Sequence, residues 1–271
     1  MTDRYAVIGN PVGHSKSPLI HEAFARQTGQ DIAYSRLLAP LDDFTATARR
    51  FFAEGGAGIN ITVPFKQEAW RLVDVREGGA VTAEAVNTIR RDGNRLIGHN
   101  TDGLGLVADL ERNLGIRIAG SSVLLMGAGG ASNGVVQPLL ERAPRQLVIV
   151  NRTPDKAEAL VKRFASLSPT LRATGYAALN DERFDLVINA TSTGLDGALP
   201  PLPGTLFAPG ALAYDMMYGR ITAFLAFAQA RSVRAVDGLG MLVEQAAEAF
   251  LIWRGVRPQT APVIAQLRAE P

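Results

Sequence analysis

No cysteine occurs in the 271 residues, which excludes disulfides and thiolate chemistry and is compatible with a reducing compartment. Lysine is almost as scarce: of 28 basic residues, only Lys16, Lys66, Lys156 and Lys162 are lysines, so rarity alone singles each of them out. The three histidines, His14, His21 and His99, are not spaced as a zinc pair, and no metal is expected. Charge of one sign does not dominate either. A net charge of +2 gives no footprint for nucleic acid or a membrane surface. No apolar run reaches the ~18 residues that a membrane helix needs. No secretion signal opens the chain, and no solenoid-period repeat or low-complexity tract interrupts it. The expectation is a soluble, cytoplasmic protein whose 47% hydrophobic share fills one large core or two small ones.

Positive content begins at Ser122 to Lys156, which reads as strand, loop, helix and strand. Val123-Leu124-Leu125-Met126 is wholly apolar, as a parallel strand buried on both faces should be. Gly127, Ala128, Gly129, Gly130, Ala131 and Ser132 follow at once. Glycines let a backbone approach a phosphate closely, and a helix over Gly134–Arg142 would present its N–H groups there. Pro138 is expected to kink that helix. Leu147 to Val150 forms the next strand and ends in Asn151, Arg152 and Thr153, with Lys156 beyond. An NAD site would carry a carboxylate here for the ribose 2′-hydroxyl. Arginine and lysine suit a 2′-phosphate instead, so the pattern points to NADP. Further strands are expected at Leu171–Thr174, Leu186–Asn189, Ala211–Asp215 and Val233–Val236, which completes the strand set of a six-stranded dinucleotide fold. The loop Thr191-Ser192-Thr193-Gly194 falls at the ligand-binding end of one of them.

The first hundred residues read as a smaller α/β domain. Strand Tyr5–Ile8 leads into the loop Gly9–Lys16, and Ser17-Pro18 is expected to open a helix with serine as N-cap. Strand Ala33–Leu38, helix Leu41–Glu54, strand Ile59–Val63 and helix Lys66–Val73 follow. Asp92-Gly93 joins strands Val86–Arg90 and Arg95–Gly98 as a hairpin, and a helix runs from Gly103 to Leu114. Alternation along Ile59–Val63 puts Asn60 and Thr62 on one face and Ile59, Ile61 and Val63 on the other. Lys66 sits at a helix start, where the dipole disfavours its charge, a setting suited to proton transfer at neutral pH. Met241–Trp253 is a last apolar helix, expected to pack back on the first domain. The expected division is 1–101, with 241–271 returning to it, and 102–240. The fold class is α/β: an N-terminal α/β substrate domain plus a Rossmann-type doubly wound dinucleotide-binding domain.

Several ordered motifs resemble the shikimate dehydrogenase family over nearly the whole chain. They are Gly9-Asn10-Pro11-Val12-Gly13-His14-Ser15-Lys16-Ser17-Pro18, Asn60-Ile61-Thr62-Val63-Pro64-Phe65-Lys66 and Ala85-Val86-Asn87-Thr88. Gly98-His99-Asn100-Thr101-Asp102-Gly103, the loop Gly127 to Ser132, Asn151-Arg152-Thr153, Asp215-Met216-Met217-Tyr218 and Asp237 to Gln245 continue the likeness. The resemblance implies reversible, NADP-linked reduction of 3-dehydroshikimate to shikimate, with Lys66 and Asp102 as the catalytic pair. It implies that Ser15 and Ser17 hold the substrate carboxylate, and that Asn60, Thr62, Asn87 and Gln245 contact its hydroxyls with Tyr218 nearby. It assigns the pyrophosphate to the loop Gly127, Ala128, Gly129, Gly130 and Ala131. Asn151, Arg152, Thr153 and Lys156 fall to the 2′-phosphate, and Met216 and Gly238 to the nicotinamide. Many members carry arginine where this chain has Asn133, which lowers the expected NADP affinity and selectivity over NAD. The partner is a small molecule, with no nucleic acid and no membrane, and the protein is a monomer or homodimer. The competing readings are a quinate/shikimate enzyme with broader substrate or NAD use, and a non-catalytic NADP-binding regulator. The intact Lys66 and Asp102 argue against the regulator.

Overall fold

The computed structural model describes residues 2–180, 182–191 and 199–269. The chain divides into two units, residues 1–105 with 242–271 and residues 106–241. In the first, the strands are β1 (Asp3–Gly9), β2 (Ile32–Leu38), β3 (Gly56–Ile61), β4 (Val75–Arg76), β5 (Thr88–Asp92) and β6 (Arg95–His99). Between them run α1 (Ser17–Thr28), α2 (Phe44–Ala53), α3 (Lys66–Leu72) and α4 (Gly79–Ala83). The six-stranded sheet has the order β2-β1-β3-β5-β6-β4. β1 is parallel to β2 and β3, whereas β5 is antiparallel to β3 and β6. One face buries Ile8, Ile59, Ile61 and Ile89 against Phe44, Phe51, Phe52 and Phe65. The β5–β6 hairpin forms, but its turn is Gly93-Asn94 rather than Asp92-Gly93: β5 runs two residues further than expected, Asp92 pairs with Arg95 in the ladder and Gly93 takes φ +59°.

Three local expectations are corrected here. Ser17 is not the N-cap of α1; Lys16 is, and the Ser17 N–H instead reaches Ser15 Oγ at 3.3 Å. This leaves the Ser17 hydroxyl uncommitted to capping. α2 begins at Phe44 rather than Leu41, because Leu41 is 67% exposed and has no core to face. β3 ends at Ile61, since Phe65 N–H donates to Thr62 O at 3.1 Å and turns the chain out of the ladder. Val63 therefore points to solvent, not into the core with Ile59 and Ile61.

α5 (Asp102–Ala108) leads from the first unit into the second and continues as a wider π turn over Asp109–Asn113. The second unit then alternates β7 (Ser122–Met126), α6 (Gly130–Leu140), β8 (Gln146–Val150), α7 (Pro154–Phe164) and β9 (Leu171–Thr174). β10 (Phe184–Asn189), β11 (Phe207–Asp215), α8 (Ala223–Gln229) and β12 (Arg234–Asp237) complete it. The sheet order is β12-β11-β10-β7-β8-β9, and every pairing is parallel. Counted from β7, this is the doubly wound dinucleotide order, whose switch point lies beside the first strand. Alternation feeds two cores. Val123, Leu125, Leu147 and Ile149 pack with Val135, Leu139, Leu160 and Phe164 on one face. Leu124, Met126, Val148 and Val150 meet Leu179, Phe224 and Leu225 on the other. α6 starts four residues before the expected Gly134, since the glycine-rich loop itself makes the first turn, and it runs through Pro138. Of the loop expected after β10, Ser192, Thr193 and Gly194 lie outside the described residues.

α9 (Leu239–Arg254) leads back to the first unit, and α10 (Ala261–Ala269) follows. Trp253 on α9 packs at a tilt against Tyr5 with centroids 4.6 Å apart and donates its indole N–H to Ile89 O at 3.1 Å.

Candidate active site

Polar side chains of the first unit converge from the end of β3, the start of α3, the entry to β5 and the start of α5. Lys66 opens α3 and Asp102 opens α5. Lys66 Nζ lies 2.6 Å from Asp102 Oδ2, and the side chains are 19% and 8% exposed. A carboxylate so buried requires a partner, and here it has a cation. Asp102 Oδ1 accepts from Asn87 Nδ2 at 2.8 Å. Asn87 Nδ2 also approaches Thr101 Oγ1 at 2.9 Å and Gln245 Oε1 at 3.4 Å. Its Oδ1 accepts from Thr101 N–H at 2.9 Å and from the Thr88 hydroxyl at 3.0 Å.

Asn60 is held from the other side. Tyr34 O–H donates to Asn60 Oδ1 at 2.7 Å, and burial raises the Tyr34 phenol well above its ordinary range, so it stays a donor. Ser15 Oγ donates to Ser17 Oγ at 3.2 Å. Arg36 Nε and Nη2 clamp the Ser15 carbonyl at 3.0 and 2.6 Å, which fixes the loop that carries both serines. Thr62 packs its methyl on Gly9, where an added Cβ would lie 2.3 Å from it. The first unit thus brings Ser15 together with Ser17, and Lys66, Asp102, Asn60, Asn87 and Gln245 into one hydrogen-bonded set. It combines a mobile proton on an amine with amides and hydroxyls suited to an anionic polyol.

In the second unit, β7 runs into Gly127 at φ +109°, a conformation that favours glycine. A Cβ added at Gly129 or Gly130 would meet nothing within 4 Å. Ser132, in the first turn of α6, is fully buried and its hydroxyl has no partner. Open backbone at a helix start, beside an orphaned hydroxyl, fits a phosphate. At the end of β8, Arg152, Thr153 and Lys156 are exposed while Asn151 Nδ2 donates to Thr153 O at 2.9 Å. Tyr176 faces this end: burial pushes its phenol up to about 12, against the pull of Arg152. Asp215, fully buried, accepts from Asn189 Nδ2 at 3.0 Å, Thr222 Oγ1 at 2.6 Å and Met217 N–H at 2.9 Å. Gly238 N–H donates to Met217 O at 2.9 Å. Met216 and Tyr218 therefore sit on a braced turn that Gly238, at the end of β12, abuts, with Asp237 accepting from Gly219 N–H at 3.2 Å.

Comparison with known proteins decides the family. Residues 7–89 match the shikimate dehydrogenase substrate binding domain, 109–195 the shikimate / quinate 5-dehydrogenase family and 238–268 the shikimate 5′-dehydrogenase C-terminal domain. A shikimate dehydrogenase (NADP(+)) of Alkalilimnicola ehrlichii is 59% identical over 100% of both chains. The chain belongs to the shikimate dehydrogenase family. Its fold is close to that of an Ael1 enzyme from Pseudomonas putida, with a TM-score of 0.94 and 48% identity over 98% of each chain. It is also close to a Thermus thermophilus shikimate 5-dehydrogenase in complex with NADP(H) and shikimate, at a TM-score of 0.88 and 33% identity over 98% of this chain and 99% of that one.

As a shikimate dehydrogenase the protein is an NADP-dependent oxidoreductase, and the phosphate features of the second unit fit that cofactor. Sequence reasoning missed Thr88, Thr101, Tyr34 and Arg36, which hold Asn87, Asn60 and Ser15 in place. The signal was weak: threonine and tyrosine in a strand read as ordinary β-formers. The polar atoms of Thr88 and Tyr34 matter only because β5 and β2 place them beside Asn87 and Asn60. Asn133 is 92% buried within α6, so its side chain is part of the helix packing.

Proposed function

We propose that the protein reversibly reduces 3-dehydroshikimate to shikimate and that Lys66 and Asp102 move the proton. The observation that carries this reading is the 2.6 Å contact between Lys66 Nζ and Asp102 Oδ2 inside a closed set of amides and hydroxyls. Ser15 and Ser17 offer hydroxyl donors to the substrate carboxylate. Asn60, Thr62, Asn87 and Gln245 bind its hydroxyls, and Tyr218 is a further substrate residue. NADPH supplies the hydride when bound, with Gly127 to Ala131 around its pyrophosphate, Asn151, Arg152, Thr153 and Lys156 at its 2′-phosphate, and Met216 and Gly238 at its nicotinamide.

As the substrate's carbonyl carbon is reduced, its π electrons collect on the oxygen. An alkoxide there needs a proton or a strong donor. Lys66 has both a charge and a proton to give. Asp102, an acceptor on both oxygens, orients the ammonium. In the oxidative direction the neutral Lys66 amine takes the hydroxyl proton back. Such a reaction belongs in the cytoplasm, in the supply of chorismate for aromatic amino acids. Steady-state rates with shikimate and quinate, each with NADP+ and NAD+, test the reading. Shikimate with NADP+ should give the highest kcat/KM, and a preference for quinate or NAD+ would contradict it.

A further inference from the structure

Thr88 opens β5 opposite Asn60 of β3 and is fully buried. Its hydroxyl is a hinge between two amides. Asn60 Nδ2 donates to Thr88 Oγ1 at 3.0 Å, and Thr88 Oγ1 donates to Asn87 Oδ1 at 3.0 Å. The chain extends both ways in one sense. Tyr34 O–H gives to Asn60 Oδ1 at 2.7 Å, and Asn87 Nδ2 gives to Asp102 Oδ1 at 2.8 Å. Each group passes its proton side toward the carboxylate, and Lys66 meets that carboxylate from the opposite side.

We infer that Thr88 is a positioning residue for the reaction: its buried hydroxyl sets which way the Asn60 and Asn87 amides face and, through Asn87, the aim of Asp102. The inference rests on the functional reading above. The reason is the chemistry of the side chains. An asparagine amide is almost symmetric in shape, so only its surroundings decide where its oxygen and nitrogen lie. A hydroxyl has one proton and can accept as well as donate. With that proton directed at Asn87 Oδ1, the Thr88 oxygen must receive the NH2 edge of Asn60, and the NH2 edge of Asn87 must turn to Asp102. The two asparagines are not equally dependent on it. Asn87 Oδ1 keeps the Thr101 N–H at 2.9 Å, whereas Asn60 Nδ2 is left with the Asn87 carbonyl at 3.4 Å. Losing the hydroxyl should therefore loosen Asn60 more than Asn87, and damage substrate binding more than turnover.

Thr88→Val, which removes the hydroxyl at nearly constant shape, and Thr88→Ser, which keeps it, test this in the full-length protein. Valine should lower kcat/KM for shikimate about 10- to 100-fold, the rate equivalent of leaving buried polar groups unpaired. Most of that loss should fall in KM, with the NADP+ KM within about twofold of its starting value. Serine should restore kcat/KM to within about threefold. The side-chain amide 1H–15N signals of Asn60 and Asn87 should shift in the valine protein and not in the serine protein. If valine prevents folding, Thr88→Cys replaces it, because a thiol bonds weakly, with the same outcomes. Valine with an unchanged shikimate KM and unmoved amide signals overturns the inference. So does serine no better than valine, which would mean that the methyl group alone matters. If the unmodified protein fails to oxidise shikimate at all, the functional reading falls, and the amide signals alone decide the role of Thr88.

Discussion

Arg152 shows what a single exposed side chain contributes. It follows β8 in the turn before α7, whose first turn carries Lys156, in place of the carboxylate that an NAD site carries. A charge-assisted hydrogen bond is worth ~1.5–3 kcal/mol, so Arg152→Ala should weaken NADPH binding about tenfold to a hundredfold. NADH binding should hardly change, as titration of both cofactors by fluorescence will show; equal losses would make the arginine structural. At this scale the sequence was a good guide to the backbone of a contiguous motif, as at Gly127 to Ser132, where a glycine loop opens α6. It was poor where chemistry depends on pairing across the fold. Lys66 and Asp102 stand 36 positions apart, and only the family resemblance brought them together before the structure did. Ser17 was misread as a cap because Ser–Pro is a frequent helix opening, whereas here Ser15 turns back and supplies the acceptor.

Among the elements, strand positions were legible and ends were not. Each strand core announced itself by apolar runs or alternation, while the exits of β3 and the entry of α2 followed from backbone turns that no side-chain pattern records. The π turn after α5 was equally silent in the sequence, yet it has a task. It presents Asp109, 98% buried, to Tyr214 O–H at 2.6 Å and to Asn113 Nδ2 at 2.9 Å. Burial, then Asp109, hold the Tyr214 phenol well above its usual range. The carboxylate also lies against the first turn of α9, where a Cβ on Gly240 would fall 1.9 Å from Asp109 Oδ1. Gly240→Ala must displace that carboxylate and leave buried polar atoms unpaired, at a cost of about 1–3 kcal/mol. Urea unfolding should show the lower midpoint with an unchanged slope. An alanine variant as stable as the parent would show that α9 and Asp109 can separate freely.

For the molecule as a whole, the first unit contains a titratable group that folding keeps neutral. His21 is fully buried, stacked on Tyr34 at 4.3 Å and flanked by Phe24, Phe250 and Trp253. Burial lowers it from 6.5 to about 3. Above pH 6.5 the folded and unfolded chains both hold it neutral, so it does not affect stability there. As pH falls below 6.5, the unfolded chain binds a proton that the folded chain refuses until about pH 3. Stability must therefore drop through that window, by about 1.4 kcal/mol per pH unit from this group. His21→Phe should flatten the dependence of unfolding free energy on pH between 6 and 4, measured in ~1-unit steps, and parallel curves for the two proteins would refute it.

The central claim is that Lys66 carries the proton, and the most direct measurement is kcat for shikimate oxidation by NADP+ in Lys66→Ala and Lys66→Arg. Removing a positioned acid or base costs about 10² to 10⁴ in rate. Alanine should lose that much in kcat while the shikimate KM changes less. Arginine should not rescue, since it cannot release a proton at working pH. A Lys66→Ala enzyme that keeps a near-normal kcat at saturating shikimate would contradict the claim, whatever happens to KM.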